Sequence, residues 1–190
     1  MPKNLQNVNF IILAEGITEK ILLPVFSHAA GLDFISNGIK IISSGGKNRL
    51  LRIYKKLSQE VNTPIFMILD ADAEELIKSN INIIRSTDHA YVLSKGEFED
   101  ILSDGLIVKA INDHYRLMGS ITLPEIVGKK PKAQVLSDLY KVKGFGEFKK
   151  AEFAQILSGY ISDESHLSGE LKQLFGVLRD KLTSNPLLNA

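Results

Sequence analysis

The chain has 190 residues, 44% of them apolar and 24% charged, with a formal net charge of +1 and no cysteine. That composition provides for a buried core and argues against a disordered chain, a disulfide framework, a thiolate metal site or a cysteine nucleophile. The near-zero charge supplies no global field for a polyanion, no run approaches a membrane span, and the apolar run near the start is too short for a signal-peptide core, so a cytoplasmic protein with no membrane partner is expected.

Val8 to Ala14 is an apolar run of strand length, broken by Glu15-Gly16; Thr18 then precedes a helix-like stretch from Glu19 to Ala30. Ile39 to Ile42 repeats the strand signal, Ser43-Ser44-Gly45-Gly46 reads as a turn, and Asn48 to Glu60 reads as a helix with Leu50, Leu51, Ile53, Tyr54 and Leu57 inward. A third strand, Ile65 to Leu69, stops at Asp70-Ala71-Asp72 and leads into the helix-prone AEELIKS. His89 to Leu93 is a fourth strand, followed by Ser94-Lys95-Gly96 and a short helix around Phe98 to Leu102. Four β-α alternations predict a mainly parallel four-stranded sheet with helices on both faces, and runs such as IFMIL fit strands buried on both sides.

After about Gly105 helical patterns take over: Leu106 to Met118, Lys132 to Lys141, Phe148 to Ile161 and Glu170 to Leu182, with Pro124, Pro131, Gly144-Phe145-Gly146 and SDESHLSG as breakers. Neither a repeat nor a long linker separates the halves. Residues 1–104 are therefore expected to form an α/β unit and residues 105–190 a helical extension packed on it.

Acidic residues fall where the strand-like runs end: Glu15 and Glu19, then Asp70 and Asp72, then Glu97, Glu99 and Asp100. The carboxyl ends of strands in an open α/β sheet share one edge, so these clusters are expected to meet. Hard oxygen donors of this kind suit Mg²⁺ or Mn²⁺, and a cation relieves the repulsion among crowded carboxylates. Glu74 and Glu75 read instead as first-turn acids that complement a helix dipole. The Gly45-Gly46-Lys47 turn reads either as a phosphate cradle or as an ordinary β-α turn with Asn48 as N-cap; it lacks the Walker A spacing. His28, His89, His114 and His166 share no metal-ligand spacing and are expected to be structural or exposed. The lysine-rich stretch from Gly128 to Lys150, interleaved with Tyr140, Phe145 and Phe148, reads either as a nucleic-acid surface or as a solvated helical face.

Taken in order, AEGITEK, DAD and EFED resemble the TOPRIM domain of topoisomerases, primases and certain nucleases, most closely the version in overcoming-lysogenisation-defect (OLD) nucleases. The Glu-Gly-x-Thr-Glu-Lys motif running into LLP, the SGGKN turn and the Glu-x-Glu third motif carry the resemblance over residues 8 to about 104, and FKKAEFAQILSGYI extends it weakly.

The resemblance implies a Rossmann-like TOPRIM fold and a DNA endonuclease or nickase using two Mg²⁺ or Mn²⁺ ions, with RNA not excluded as substrate. Glu15 would be a metal ligand or general acid/base, with Glu19, Asp70, Asp72, Glu97 and Glu99 as further metal ligands, Asp100 a substitute among the last, and Lys150 the catalytic lysine. Gly45, Gly46, Lys47, Lys130, Lys132 and Lys149 would contact phosphate or nucleic acid. An ATPase domain or subunit would come from another chain, and homo-oligomers are allowed. Alternatives from other classes are a nucleic-acid-binding TOPRIM module within an ATPase assembly and a primase-like nucleotidyl transferase.

Overall fold

The computed structural model describes residues 8–184. Four strands, β1 (Phe10–Ala14), β2 (Ile39–Ser43), β3 (Ile65–Leu69) and β4 (His89–Val92), form one sheet of order β2-β1-β3-β4 in which every pairing is parallel. Parallel neighbours need crossovers. Helices α1 (Ile17–Ala29), α2 (Lys47–Glu60) and α3 (Glu74–Ser79) supply them. From β1 the chain crosses to β2 on one side and then returns past β1 to β3 and β4 on the other. The connections thus reverse between the carboxyl ends of β1 and β3.

Strand side chains alternate between faces, so a continuous apolar strand feeds two cores. Phe10, Ile12, Phe66 and Ile68 face a core completed by Leu22, Leu23 and Phe26 of α1. Ile11, Leu13, Ile65, Met67 and Leu69 face a second core with Leu50, Leu51, Tyr54 and Leu57 of α2 and Ile77 of α3. The later helices, α4 (Asp104–His114), α5 (Leu123–Ile126), α6 (Lys132–Lys143), α7 (Lys150–Ser158) and α8 (Gly169–Thr183), contribute to the first core only. Helix α7 packs between α1 and α4.

Several element boundaries differ from the sequence expectation for local reasons. Helix α1 begins at Ile17 rather than Glu19, because the Glu19 carboxylate accepts the Gly16 N–H at 3.0 Å and caps the helix from inside; Thr18 therefore lies within the first turn. Helix α2 begins at Lys47 with Gly46 as N-cap, in place of Asn48. Pro124 is not a breaker: it sits in the first turn of α5, where its missing N–H costs nothing, behind a Thr122–Glu125 capping box. Glu74 and Glu75 do occupy the first turn of α3, and both pair with Lys78.

One buried polar network closes the amino edge of the sheet. The Tyr54 hydroxyl donates to Asp88 Oδ2 at 2.8 Å, and Asp88 Oδ1 accepts the Ile65 N–H at 3.0 Å. Arg85 binds both Asp88 oxygens and donates to the carbonyls of Ser58, Val61 and Thr63.

Candidate active site

Glu15 follows β1 and Asp70 follows β3, so the two flank the crevice where connections reverse, the place at which open parallel sheets bind ligands. Main-chain donors hold Glu15. Its carbonyl accepts the N–H groups of Gly45 at 2.9 Å and Gly46 at 3.1 Å. Its carboxylate accepts the Lys47 N–H on Oε1 at 3.0 Å and the Asp70 N–H on Oε2 at 3.2 Å. The glycine turn, left-handed at φ 77° and 122°, aims its amides at Glu15. The phosphate-cradle reading is corrected for the backbone amides of Gly45, Gly46 and Lys47, since an N–H already donated does not hold a phosphate. The Lys47 ammonium is also engaged, 2.5 Å from Asp72 Oδ2.

Asp70 Oδ1 accepts the Phe98 N–H at 3.1 Å, joining the third strand end to the fourth. Burial, and after it the charges of Glu15, Glu19, Glu97 and Glu99, push its pKa up to about 8. Glu19 is buried beside it; burial raises its carboxyl to about 7 against the opposing pull of backbone N–H groups.

Glu97 and Glu99 flank Phe98, whose buried ring anchors a 3₁₀ turn (Phe98–Ile101). The Glu97 N–H donates to Asp100 Oδ2 at 2.9 Å, while Asp100 Oδ1 accepts the Lys132 N–H at 2.8 Å. Asp100 is therefore a structural cap, and its reading as a substitute ligand falls away. Lys150, the first residue of α7, places its ammonium 2.9 Å from Glu97 Oε2 and 3.1 Å from Glu99 Oε2. Burial works against its charge, but Glu99 and Glu97 outweigh burial and hold its pKa above the usual lysine value. Two adjoining cavities share Glu15 and Asp70. The smaller, about 200 Å³, adds Glu19, Glu99 and Lys150; the larger, about 560 Å³, adds Asp72 and Glu97.

The remaining sequence candidates separate cleanly. Lys130 and Lys149 are exposed. Lys132 is not a nucleic-acid contact: only 3% exposed, it is ion-paired to Asp104 and donates to the Ile126 carbonyl at 2.8 Å. Tyr140 and Phe145 are buried, and Phe145 stacks on Tyr115 with centroids 4.4 Å apart, while Phe148 packs on Phe153, so these aromatics serve the core rather than bases. One residue of the site escaped sequence reasoning: Thr18 is fully buried and its hydroxyl donates to Glu99 Oε1 at 2.6 Å, a role that no residue type marks along the chain.

Among the described residues no three acidic or histidine side chains form a ready metal cage. The side-chain ligands that line the larger cavity are nevertheless all hard oxygens, and burial together with neighbouring carboxylates disfavours the Asp70 charge there, a conflict that a small divalent cation relieves.

A parallel sheet of this order, with acids at three strand ends and a lysine from a packed helix, defines a Rossmann-like α/β fold of TOPRIM type. Residues 8–72 match the family model described as "Overcoming lysogenization defect protein-like, TOPRIM domain". That match ends at Asp72, before Glu97, Glu99 and Lys150. Among solved structures, the C-terminal region of the Burkholderia pseudomallei OLD protein superposes with a TM-score of 0.67 at 19% identity, covering 92% of this chain and 98% of that one. The C-terminal region of the Xanthomonas campestris pv. campestris OLD protein gives 0.64 at 19% identity, covering 93% and 97%. The likeness of fold thus runs through the helical half as well. No curated protein sequence matches the chain.

Proposed function

We propose that the chain is a nuclease of OLD-like TOPRIM type that hydrolyses DNA phosphodiesters with Mg²⁺ or Mn²⁺. Supporting this reading above all is the meeting of Glu15, Asp70 and Glu97 with the Lys150 ammonium at the switch point, where Asp70 carries a pKa of about 8. Glu15, Asp70, Asp72 and Glu97 would hold the cation. When bound, it polarises the phosphate and neutralises its charge. The Glu15 carboxylate is preset for this by two main-chain donors, the N–H groups of Lys47 and Asp70, so it needs no reorganisation when substrate arrives. Lys150 lines the adjoining smaller cavity, which shares Glu15 and Asp70, and would bind a non-bridging phosphate oxygen, stabilising the negative charge that develops there.

The test is cleavage of supercoiled plasmid by purified protein in Mg²⁺, Mn²⁺ or chelator, beside Asp70→Ala. Nicking that needs the cation and is lost in the variant is the expected result. Absence of cutting in both metals, with the fold intact, would favour a second reading: a nucleic-acid-binding module whose turnover depends on an ATPase partner. Both solved neighbours are themselves C-terminal regions, which is the observation behind that alternative.

A further inference from the structure

The Thr18 hydroxyl has one proton, and in the first turn of α1 no preceding helical turn offers a carbonyl to take it. Here it crosses to another element. Thr18 Oγ1 donates to Glu99 Oε1 at 2.6 Å, although 81 residues separate the two. The Glu99 side chain is only 2% exposed, and its other oxygen, Oε2, takes the Lys150 ammonium at 3.1 Å. Each Glu99 oxygen is thereby engaged, one by α1 and one by α7, the two helices that pack directly on each other. Glu97, the second partner of Lys150, has a side chain 37% exposed and lines the larger cavity, so it is the weaker anchor of the pair. A buried carboxylate fixed at one end by a neutral donor is a rigid seat for a cation at the other.

We propose that Thr18 is a positioning residue: acting through Glu99, it fixes the Lys150 ammonium in the wall of the smaller acidic cavity, and Glu99 serves the lysine rather than a metal ion. The role of Lys150 in turnover rests on the nuclease reading, whereas the geometry of the Thr18–Glu99–Lys150 chain does not. Thr18→Val keeps the shape of the side chain and removes the proton; Thr18→Ser keeps the proton.

Two measurements on the full chain separate the issues. Reductive methylation with formaldehyde, followed lysine by lysine with peptide mass spectrometry, reads how firmly Lys150 is held, with exposed Lys130 and Lys149 as internal references. In Thr18→Val the Lys150 rate should rise about tenfold, the scale of one lost hydrogen bond to a charged group, with the references unchanged; in Thr18→Ser it should stay near wild type. In plasmid nicking, Thr18→Val should lower kcat by about 10- to 100-fold with KM nearly constant, as misplacement of a catalytic group does, and Thr18→Ser should recover it. Unchanged Lys150 labelling in a folded Thr18→Val protein, or a Thr18→Ser protein as impaired as the valine variant, overturns the proposal. If Thr18→Val does not fold, Glu99→Gln tests the same link and should also speed Lys150 methylation; no change there sinks it equally. Labelling that follows the expected pattern while wild type cuts nothing would discard the nuclease reading and keep the positioning chain.

Discussion

Asp70 retains a proton in the metal-free protein at a pH where an ordinary aspartate has lost it, because burial and four nearby carboxylates disfavour its charge. An acid whose pKa is raised by folding binds more protons folded than unfolded, so its contribution to stability is full at low pH and is lost as pH rises from 3.8 through about 8. In chelator, the melting temperature should therefore fall over that window, and Asp70→Asn should flatten the slope. Mg²⁺ or Mn²⁺ should restore more stability at about pH 9 than at about pH 6, since at the lower pH the cation must first displace the proton. An Asp70→Asn slope identical to wild type would assign the pH dependence elsewhere. Gly96 offers a sharper steric case: at φ 61° a Cβ would lie 2.0 Å from Asp100 Oδ2, the oxygen that caps the Glu97 turn. Gly96→Ala should cost roughly 1–3 kcal/mol through strain, visible as a lower denaturant midpoint, and should reduce cleavage further by displacing Glu97. At this scale the acids were legible because strand ends made them conspicuous. What they are bonded to was not: that the glycine turn serves Glu15 and that Thr18 reaches Glu99 depends on contacts 29 to 81 residues apart, which no local pattern encodes.

The elements themselves follow closely from hydrophobic period. Strand β3 runs from Ile65 to Leu69 as its apolar run dictates, and α2 differs from expectation by one residue. Misjudged features were those in which a side chain overrides the general rule, as Glu19 does for the start of α1 and the Thr122–Glu125 box does around Pro124. The segment between α3 and β4 carried no signal of importance, yet it supplies Arg85 and Asp88, which tie α2, β3 and β4 together. The Asp88 side chain is fully buried, so removing its charge partner or the carboxylate itself strands the other group. Asp88→Ala should cost about 3–5 kcal/mol and Tyr54→Phe about 1 kcal/mol, both read by urea denaturation. A loss below 1 kcal/mol for Asp88→Ala would mean that the network contributes little beyond solvent contacts.

For the molecule as a whole, the formal charge of +1 conceals a division between lysines that face solvent and lysines that hold the structure. On the proposed nuclease reading, Lys130→Ala and Lys149→Ala should each weaken DNA binding uniformly across sequences and reduce the slope of log affinity against log salt by about 1. Lys132→Ala should instead lower stability, by roughly 1–3 kcal/mol, because the Ile126 carbonyl would lose its donor and the partly exposed Asp104 its cation. A Lys132→Ala protein as stable as wild type but with a reduced salt slope would return that residue to the nucleic-acid surface. The helical half was legible as helices, but not its placement, since nothing in an amphipathic pattern states which sheet face it covers.

That placement has a consequence in time. Along the chain β1 precedes Phe153, Phe175 and Leu178 by more than 130 residues, yet one face of β1 shares its core with them. Until those residues emerge, Phe10, Ile12, Phe66 and Ile68 have no complete cover, and the carboxylates at the strand ends wait for the ammonium of Lys150. A nascent chain stopped after the fourth strand should therefore be aggregation-prone and without a charge-balanced centre until helices α7 and α8 close over the sheet.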